Sequence, residues 1–206
     1  MYATRVGLAS LLLLTVAACS SDAPDAESAA AEEAAAPEVT LSCVTSADAA
    51  ALAERPSPLD SVSFTLSSGP AKLCYSRPST RGRVMVGEVD PFDQPWRMGA
   101  NEPTTLHLAG PATIGDVAVD AGAYAIYAIP TESGPWTVVV NGNPDRWGVP
   151  ITEEVRAADV GSFEVEVMAL DEAAETLSFS FESGADGGAL IFAFESRTFR
   201  IPVAGS

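Results

Sequence analysis

The sequence contains few of the residues that most often bind metals or act as catalytic nucleophiles. Its 206 residues include one histidine and three cysteines. The histidine, His107, has no second histidine or cysteine at ligand spacing, which argues against a zinc site. The G-x-S-x-G motif of serine hydrolases is also absent. We therefore expect no resident metal and no cofactor, and the sequence identifies no catalytic residue.

Positive charge is scarce as well. The chain has 11 lysine and arginine residues against 28 aspartate and glutamate residues, a formal net charge of −17. Residues 39–206 alone hold 22 acidic and 10 basic side chains. A surface of this sign repels the phosphates of nucleic acids and the headgroups of anionic lipids. We therefore expect no nucleic-acid partner.

No apolar run is long enough to cross a bilayer as a helix. The run from Val6 to Val16 follows Arg5 and has the length of the apolar region of a signal peptide. It ends in the tetrad VAAC, whose last residue is Cys19 and which resembles the lipobox of bacterial lipoproteins. We predict that residues 1–18 are a lipoprotein signal peptide and that acylated Cys19 anchors the protein in the membrane. A plain secretory signal followed by a coincidental cysteine is the alternative.

The residues after Cys19 predict where the protein is anchored and how far it reaches. Ser20 stands where an aspartate retains some lipoproteins in the inner membrane, so we expect export to the outer membrane. Residues 20–38 contain six acidic residues, no basic residue and no large apolar one, so we predict that residues 19–38 form a disordered tether. A flexible chain of this length spans roughly 25 Å. A transient alanine-rich helix is the alternative, and residues 39–206 are enough for one domain.

The two remaining cysteines, Cys43 and Cys74, are an even pair in an exported chain. Both are flanked by residues typical of strands. We predict that they form a disulfide, and two buried free thiols are the alternative.

The sequence after residue 57 has the pattern of an all-β protein. Short β-branched and aromatic runs alternate with polar residues and are separated by glycine and proline. We predict a single antiparallel β-sandwich of about ten short strands, with a barrel as the less favoured closure. One short N-terminal helix is expected over Ser46–Arg55, capped by Ser46 and ended by Pro56. The predicted strands are 61–66, 71–76, 83–86, 104–109, 117–119, 122–129, 136–141, 162–168, 176–182, 189–195 and 198–203.

The segment from residue 75 to residue 107 has the composition of a binding site rather than of a scaffold. Four arginines fall within 21 residues of an otherwise acidic chain, and a planar guanidinium is suited to carboxylates, phosphates and sugar hydroxyls. A tryptophan and several polar residues follow them, as in many ligand pockets. The predicted ligand-binding residues are Arg77, Arg81, Arg83, Trp96, Arg97, Asn101, Glu102 and His107.

The alternative interpretation of this segment is an internal polar network. In it, Arg97 pairs with Glu88 or Asp90, Asn101 satisfies the backbone of a turn, and Trp96 closes one end of the sandwich. A second loop, around Trp147, has the aromatic and amide residues that suit stacking on a sugar, and it suits turn packing equally well.

Several segments together resemble an exported bacterial family catalogued as domain of unknown function 2911. They are RPSP at 55–58, YSRPSTRGR at 75–83, WRMGANEPTT at 96–105, AGAYAIYAIP at 121–130, WTVVVN at 136–141 and WG at 147–148. The chain departs from the usual pattern at Met98, where the family has threonine. The resemblance implies one β-rich exported domain and implies no activity.

These observations favour a lipoprotein of the cell envelope that binds a ligand or a partner. An envelope sugar, a small carboxylated molecule and a partner protein are all compatible with the predicted site. A hydrolase that uses Glu102 or His107 as acid and base is one alternative. A structural or assembly protein without a pocket, which would use a sheet edge as its interface, is another.

Overall fold

A computed structural model describes residues 41–206 of the chain. The predicted signal peptide, the predicted lipidation site Cys19 and the predicted tether lie outside the described residues. Within the described part, no helix combines the length and the apolar character that crossing a membrane requires.

The structure consists of two antiparallel sheets and two short helices. In chain order the elements are α1 (Ala49–Ala53), β1 (Leu59–Leu66), β2 (Gly69–Ser76), β3 (Thr104–Leu108), β4 (Ala112–Ile114), β5 (Val117–Val119), β6 (Gly122–Ile129), β7 (Trp136–Asn141), α2 (Glu153–Arg156), β8 (Asp159–Val165), β9 (Met168–Gly184) and β10 (Gly187–Gly205). One sheet has six strands in the order β1-β2-β3-β6-β7-β8, and the other has four in the order β5-β4-β10-β9. The predicted all-β sandwich is confirmed.

Side-chain alternation along the strands builds the core between the two sheets. Leu177 and Phe179 of β9 are buried, as their alternation with serines predicts. The centre of the core is aromatic: Phe192 and Phe199 of β10 stack with ring centroids 4.4 Å apart, and Trp136 of β7 packs against both. The core therefore lies between β6–β7 on one side and β9–β10 on the other.

Strand β6 is a central strand, as its apolar sequence predicts. It lies between β3 and β7, and its residues 125–128 are buried on both faces. Because Tyr127 and Ala125 point away from the core, their burial requires a cover on the outer face of the six-stranded sheet. That cover includes the chain after β7, where Asn141 and Tyr127 hydrogen-bond to Asp159.

The predicted disulfide between Cys43 and Cys74 is confirmed, with Cα atoms 5.7 Å apart. Cys74 alternates with Leu73 and Tyr75 of the core, so it points to the outer face of the six-stranded sheet. The disulfide therefore holds the N-terminal segment against that outer face.

Several predicted element boundaries are wrong. Residues 83–86 form no strand, because the backbone N–H groups of Met85 and Val86 donate to the carboxylate of Glu195 at 2.7 and 3.3 Å instead of to a neighbouring strand. The two strands predicted over 189–203 are one strand, β10, with irregular register around Glu195, whose φ is 53°. Strand β4 and helix α2 were not predicted.

The N-terminal helix is present and shorter than predicted. Its cap is Asp48, whose side chain accepts a hydrogen bond from the N–H of Ala51 at 2.9 Å. Ser46 does not cap the helix, because its hydroxyl and its N–H both donate to Glu102.

Candidate functional site

The loop between β2 and β3, residues 77–103, carries most of the predicted site residues and is held in place by several elements. Pro78 and Thr80 form backbone hydrogen bonds with the edge of β9, at Leu177 and Glu175. Further along, Trp96 exchanges two backbone hydrogen bonds with Ala128 of β6, at 2.7 and 2.8 Å. The loop therefore packs as an extra layer across one end of the sandwich and is attached to both sheets by backbone hydrogen bonds.

Beneath this loop is a cavity of about 260 Å³, which we call the Arg97 cavity. It brings together Arg83, Trp96 and Arg97 of the predicted site. Its lining consists of Ser57, Pro78, Arg83, Met85, Val89, Asp90, Trp96, Arg97, Gly99, Ala100 and Phe194. The cavity thus combines two guanidinium groups and one carboxylate with the apolar side chains of Met85, Val89, Trp96 and Phe194.

Trp96 forms the side of this cavity nearest the core. Its side chain is almost fully buried, stacks on Phe194 at 6.3 Å between ring centroids and meets Trp136 and Phe192 edge to face. Trp96 therefore closes one end of the sandwich, and its neighbour Arg97 stays at the cavity.

Arg97 is only partly satisfied by the protein. Its Nε donates to the carbonyl of Gly99 at 3.1 Å, and within residues 41–206 its terminal nitrogens have no hydrogen-bond partner and no ion pair. Burial lowers the pKa of Arg97, while the nearby carboxylate of Asp90 acts in the opposite direction. The pairing of Arg97 with Glu88 or Asp90, expected for an internal network, is not formed at ion-pair distance.

Asp90 is the carboxylate of the cavity. Burial raises its pKa, and the nearby side chains of Arg97, Trp96 and Arg83 act against that rise. Its backbone is fixed, because its N–H donates to Met85 at 2.8 Å and its carbonyl accepts from Gly87 at 2.8 Å. Asp90 and Arg97 are close enough to influence each other's ionisation, yet no ion pair within 4.0 Å joins them.

Arg77 and Arg81 do not line the Arg97 cavity. The guanidinium of Arg77 pairs with Asp60 at 3.3 Å and donates to the carbonyl of Leu177. Arg81 is exposed, has a φ of 51° and donates to the carbonyl of Pro56 at 3.2 Å. Both arginines hold the loop to its surroundings.

Glu102 belongs to a separate buried cluster. Arg55 donates to its two oxygens at 2.6 and 3.0 Å, and Ser46 donates twice, from its N–H at 3.0 Å and its hydroxyl at 2.8 Å. Burial alone would raise the pKa of Glu102, but the hydrogen bonds from Arg55 and Ser46 lower it to about 2. The carboxylate is therefore ionised at neutral pH and has no proton to donate as a general acid.

Asn101, next to Glu102, links the loop to neighbouring parts of the chain through side-chain hydrogen bonds. Its Nδ2 donates to the carbonyl of Ser57 and to the hydroxyl of Ser76, both at 3.1 Å. Its φ of 60° is tolerated well by asparagine. Asn101 thus has the turn-satisfying role that the alternative interpretation gave it.

His107 lies away from the Arg97 cavity. It is on β3 opposite Lys72, and it alternates with the core residues Leu106 and Leu108, so it points to the outer face of the six-stranded sheet. It is 7% exposed, and its Nε2 has no hydrogen-bond partner among residues 41–206. Burial, with a contribution from Lys72, lowers its pKa, so it is neutral at pH 7.

A second recess, of about 250 Å³, lies beside the loop that follows β7. Trp147 at its rim is 49% exposed, and the Arg55 guanidinium carbon is 5.9 Å from the ring centroid. This loop is fixed to the main one because the N–H of Gly148 donates to the carbonyl of Asn101 at 2.9 Å. Sugar stacking on Trp147 stays a prediction.

Sequence reasoning missed two features of the cavity. From the sequence, Asp90 was predicted only as a pairing partner of Arg97. The acidic residues shortly before Trp96 were the signal that could have marked it as part of the site. Phe194 is 97 positions beyond Arg97 in the sequence, and no local pattern connects the two. In the described part of the chain, no group of three or more histidine, cysteine, aspartate or glutamate side chains is placed to hold a metal ion.

A larger recess is a weaker candidate site. It has a volume of about 430 Å³ and lies at the turn between β9 and β10. Its guanidinium, that of Arg200, is already paired with Glu182 at 2.5 Å. The Arg200 guanidinium therefore already has a charged partner, which the Arg97 guanidinium lacks within residues 41–206.

Comparison with known proteins identifies the family without adding a function. No curated protein and no solved structure matches the chain. A family model does match residues 57–203, from the end of the N-terminal segment to the last strand, and so spans every residue of the Arg97 cavity. The chain therefore belongs to the family described as "Protein of unknown function (DUF2911)".

Proposed function

We propose that this protein is a lipid-anchored binding protein of the bacterial envelope, whose Arg97 cavity binds a small carboxylated ligand. The observation that carries the proposal is the Arg97 guanidinium, which lines a cavity and, within residues 41–206, donates only through its Nε. Partial burial disfavours its charged form, while its terminal nitrogens are not enclosed by the protein and are open to an acceptor. A carboxylate that accepts hydrogen bonds from those nitrogens would offset the effect of burial.

The walls and size of the cavity limit the ligand. Met85, Trp96 and Phe194 give it an apolar surface, and its volume of about 260 Å³ is at the lower end for small-molecule sites. A compact ligand with one apolar part and one carboxylate matches both properties. Arg83, exposed at the same cavity, adds a second positive charge that attracts an anion.

The envelope location rests on the N-terminal sequence. The VAAC tetrad, the cysteine that ends it and the acidic tether are the features of an exported, acylated protein. A tether that spans roughly 25 Å keeps the domain within reach of the membrane and free to meet small molecules in the surrounding compartment.

The test is a thermal-shift titration of the full mature protein with small carboxylates, in wild type and in the variant Arg97→Gln. In wild type, a ligand at 100 times its dissociation constant stabilises the folded state by about 2.7 kcal/mol. We expect the Arg97→Gln variant to lose this shift. The control is Arg200→Gln, which removes an exposed guanidinium at the β9–β10 turn and should leave the shift unchanged.

The same variants separate the proposal from the internal network. A network arginine would cost several kcal/mol when removed, because it leaves a buried partner unpaired. We expect Arg97→Gln to lower the free energy of unfolding by no more than about 1 kcal/mol, the value of its single bond to Gly99. A loss of several kcal/mol, or equal ligand shifts in both variants, would contradict the proposal.

A further inference from the structure

We infer that the ligand of the Arg97 cavity is a zwitterion of the α-amino acid class, with its carboxylate on Arg97 and its ammonium group on Asp90. This inference rests on the proposed function and specifies the chemistry of the ligand. Its basis is that a carboxylate and a guanidinium line the same cavity without joining in an ion pair.

The separation of Asp90 from Arg97 is built into the backbone. A carboxylate and a guanidinium that meet without constraint form charge-assisted hydrogen bonds of about 2.7–2.9 Å. The Asp90 carboxylate lies near the side chains of Trp96 and Arg97 and is not in ion-pair contact with Arg97. Here the Arg97 side chain is turned by the bond from its Nε to Gly99. Asp90 is held by two backbone hydrogen bonds, one to Met85 and one from Gly87. Each of the two side chains is therefore anchored separately, and no ion pair joins them.

A bridging ligand must present the opposite polarity at each wall. The guanidinium of Arg97 requires an acceptor with negative charge, and the carboxylate of Asp90 requires a donor with positive charge. An amino acid carries both groups on one carbon atom, so it neutralises both charges at once. Burial disfavours the charged forms of Asp90 and Arg97, and such a ligand would reverse both effects.

The rest of the cavity predicts an apolar side chain. Met85, Val89, Trp96 and Phe194 give it an apolar wall, and the one further charge in its lining, that of Arg83, is exposed to solvent. A cavity volume of about 260 Å³ suits a compact ligand. Leucine and methionine are small amino acids with apolar side chains and fit this description.

The test uses three probes of one shape, measured by calorimetry on the full mature protein. Leucine carries both charged groups, 4-methylpentanoate lacks the amine, and isoamylamine lacks the carboxylate. We expect wild type to bind leucine at least about tenfold more tightly than 4-methylpentanoate, a difference of about 1.4 kcal/mol, and isoamylamine not at all.

Variants test which residue binds the ammonium group of the ligand and which binds its carboxylate. Asp90→Asn should reduce the affinity for leucine to that for 4-methylpentanoate and leave the latter unchanged, and Arg97→Gln should abolish both. The matched control is Asp93→Asn, an exposed aspartate three positions away whose φ of 60° suits asparagine equally well. It should change neither affinity.

The outcomes separate the inference from the proposed function. If 4-methylpentanoate binds as tightly as leucine and Asp90→Asn alters neither, the zwitterion is wrong and the carboxylate site stands. If none of the three probes binds at millimolar concentration, both are overturned.

Discussion

At the scale of single residues, Glu102 shows how one buried carboxylate can organise three parts of the chain. Its oxygens receive four hydrogen bonds, two from Arg55 and two from Ser46, and it starts the turn into β3. The Arg55 side chain is 14% exposed and that of Glu102 is 9% exposed, so little solvent screens the pair. The cluster is structural, and its loss should be visible in stability.

We predict that Glu102→Gln lowers the free energy of unfolding at pH 7 by about 3 kcal/mol, because it leaves the Arg55 guanidinium buried without a counter-charge. Urea unfolding of the two proteins measures the difference. Glu182→Gln is the control, since its pair with Arg200 is exposed on both sides and should contribute little.

The same carboxylate predicts a pH dependence. Because folding lowers the pKa of Glu102 to about 2, its contribution is complete above its ordinary pKa of about 4.3 and is lost as the pH falls towards 2. Wild type should therefore lose more stability than Glu102→Gln between pH 5 and pH 2.5. Parallel pH profiles for the two proteins would show that the ion pair contributes nothing.

At the scale of elements, the N-terminal segment depends on its disulfide. Helix α1 has no buried residue, so packing alone does not hold it to the sheet. The Cys43–Cys74 bond closes a loop with a sequence separation of 31 and places Ser46 and Arg55 near Glu102. The cover on the outer face of the six-stranded sheet therefore relies on a covalent bond as well as on hydrogen bonds.

We predict that the double variant Cys43→Ser, Cys74→Ser unfolds at a free energy roughly 3–4 kcal/mol lower than wild type, from the entropy of the opened loop. Urea unfolding measures this, and reduced wild type should behave like the variant. Intact-mass analysis before and after reduction checks that the bond is present in the exported protein. Equal free energies of unfolding for the variant and wild type would contradict a stabilising role of this disulfide.

Strands were predictable from the sequence where apolar and polar residues alternate regularly. They were not predictable where a side-chain carboxylate, instead of a neighbouring strand, accepts the backbone hydrogen bonds. Strands β5, β6 and β7 match their predicted bounds because their apolar patterns end at aspartate, glycine, proline or asparagine. Residues 83–86 have an equally apolar pattern, but the carboxylate of Glu195 takes their N–H groups. That acceptor is more than 100 positions away, so no local pattern could reveal it.

At the scale of the whole molecule, the proposed acylation of Cys19 would decide where the domain works. We predict that Cys19→Ser moves the protein from the membrane fraction to the soluble fraction of the envelope, because one residue carries all the lipid. Fractionation and mass analysis of the N-terminal peptide measure this. The Cys43→Ser, Cys74→Ser variant is the control and should stay in the membrane fraction. Wild type with an unmodified N-terminus would contradict the anchor.

The sequence by itself determined the all-β class, the disulfide and the family, because each depends on local alternation, on a count of cysteines or on ordered motifs. Only the tertiary structure decided which of the eight predicted site residues meet. Arg83, Trp96 and Arg97 converge with Asp90 and Phe194, while Glu102 and His107 belong elsewhere. The reason is physical: a long loop between two strands can bring its charges to either face of a sheet, and distant partners such as Arg55, Glu195 and Ala128 decide which one.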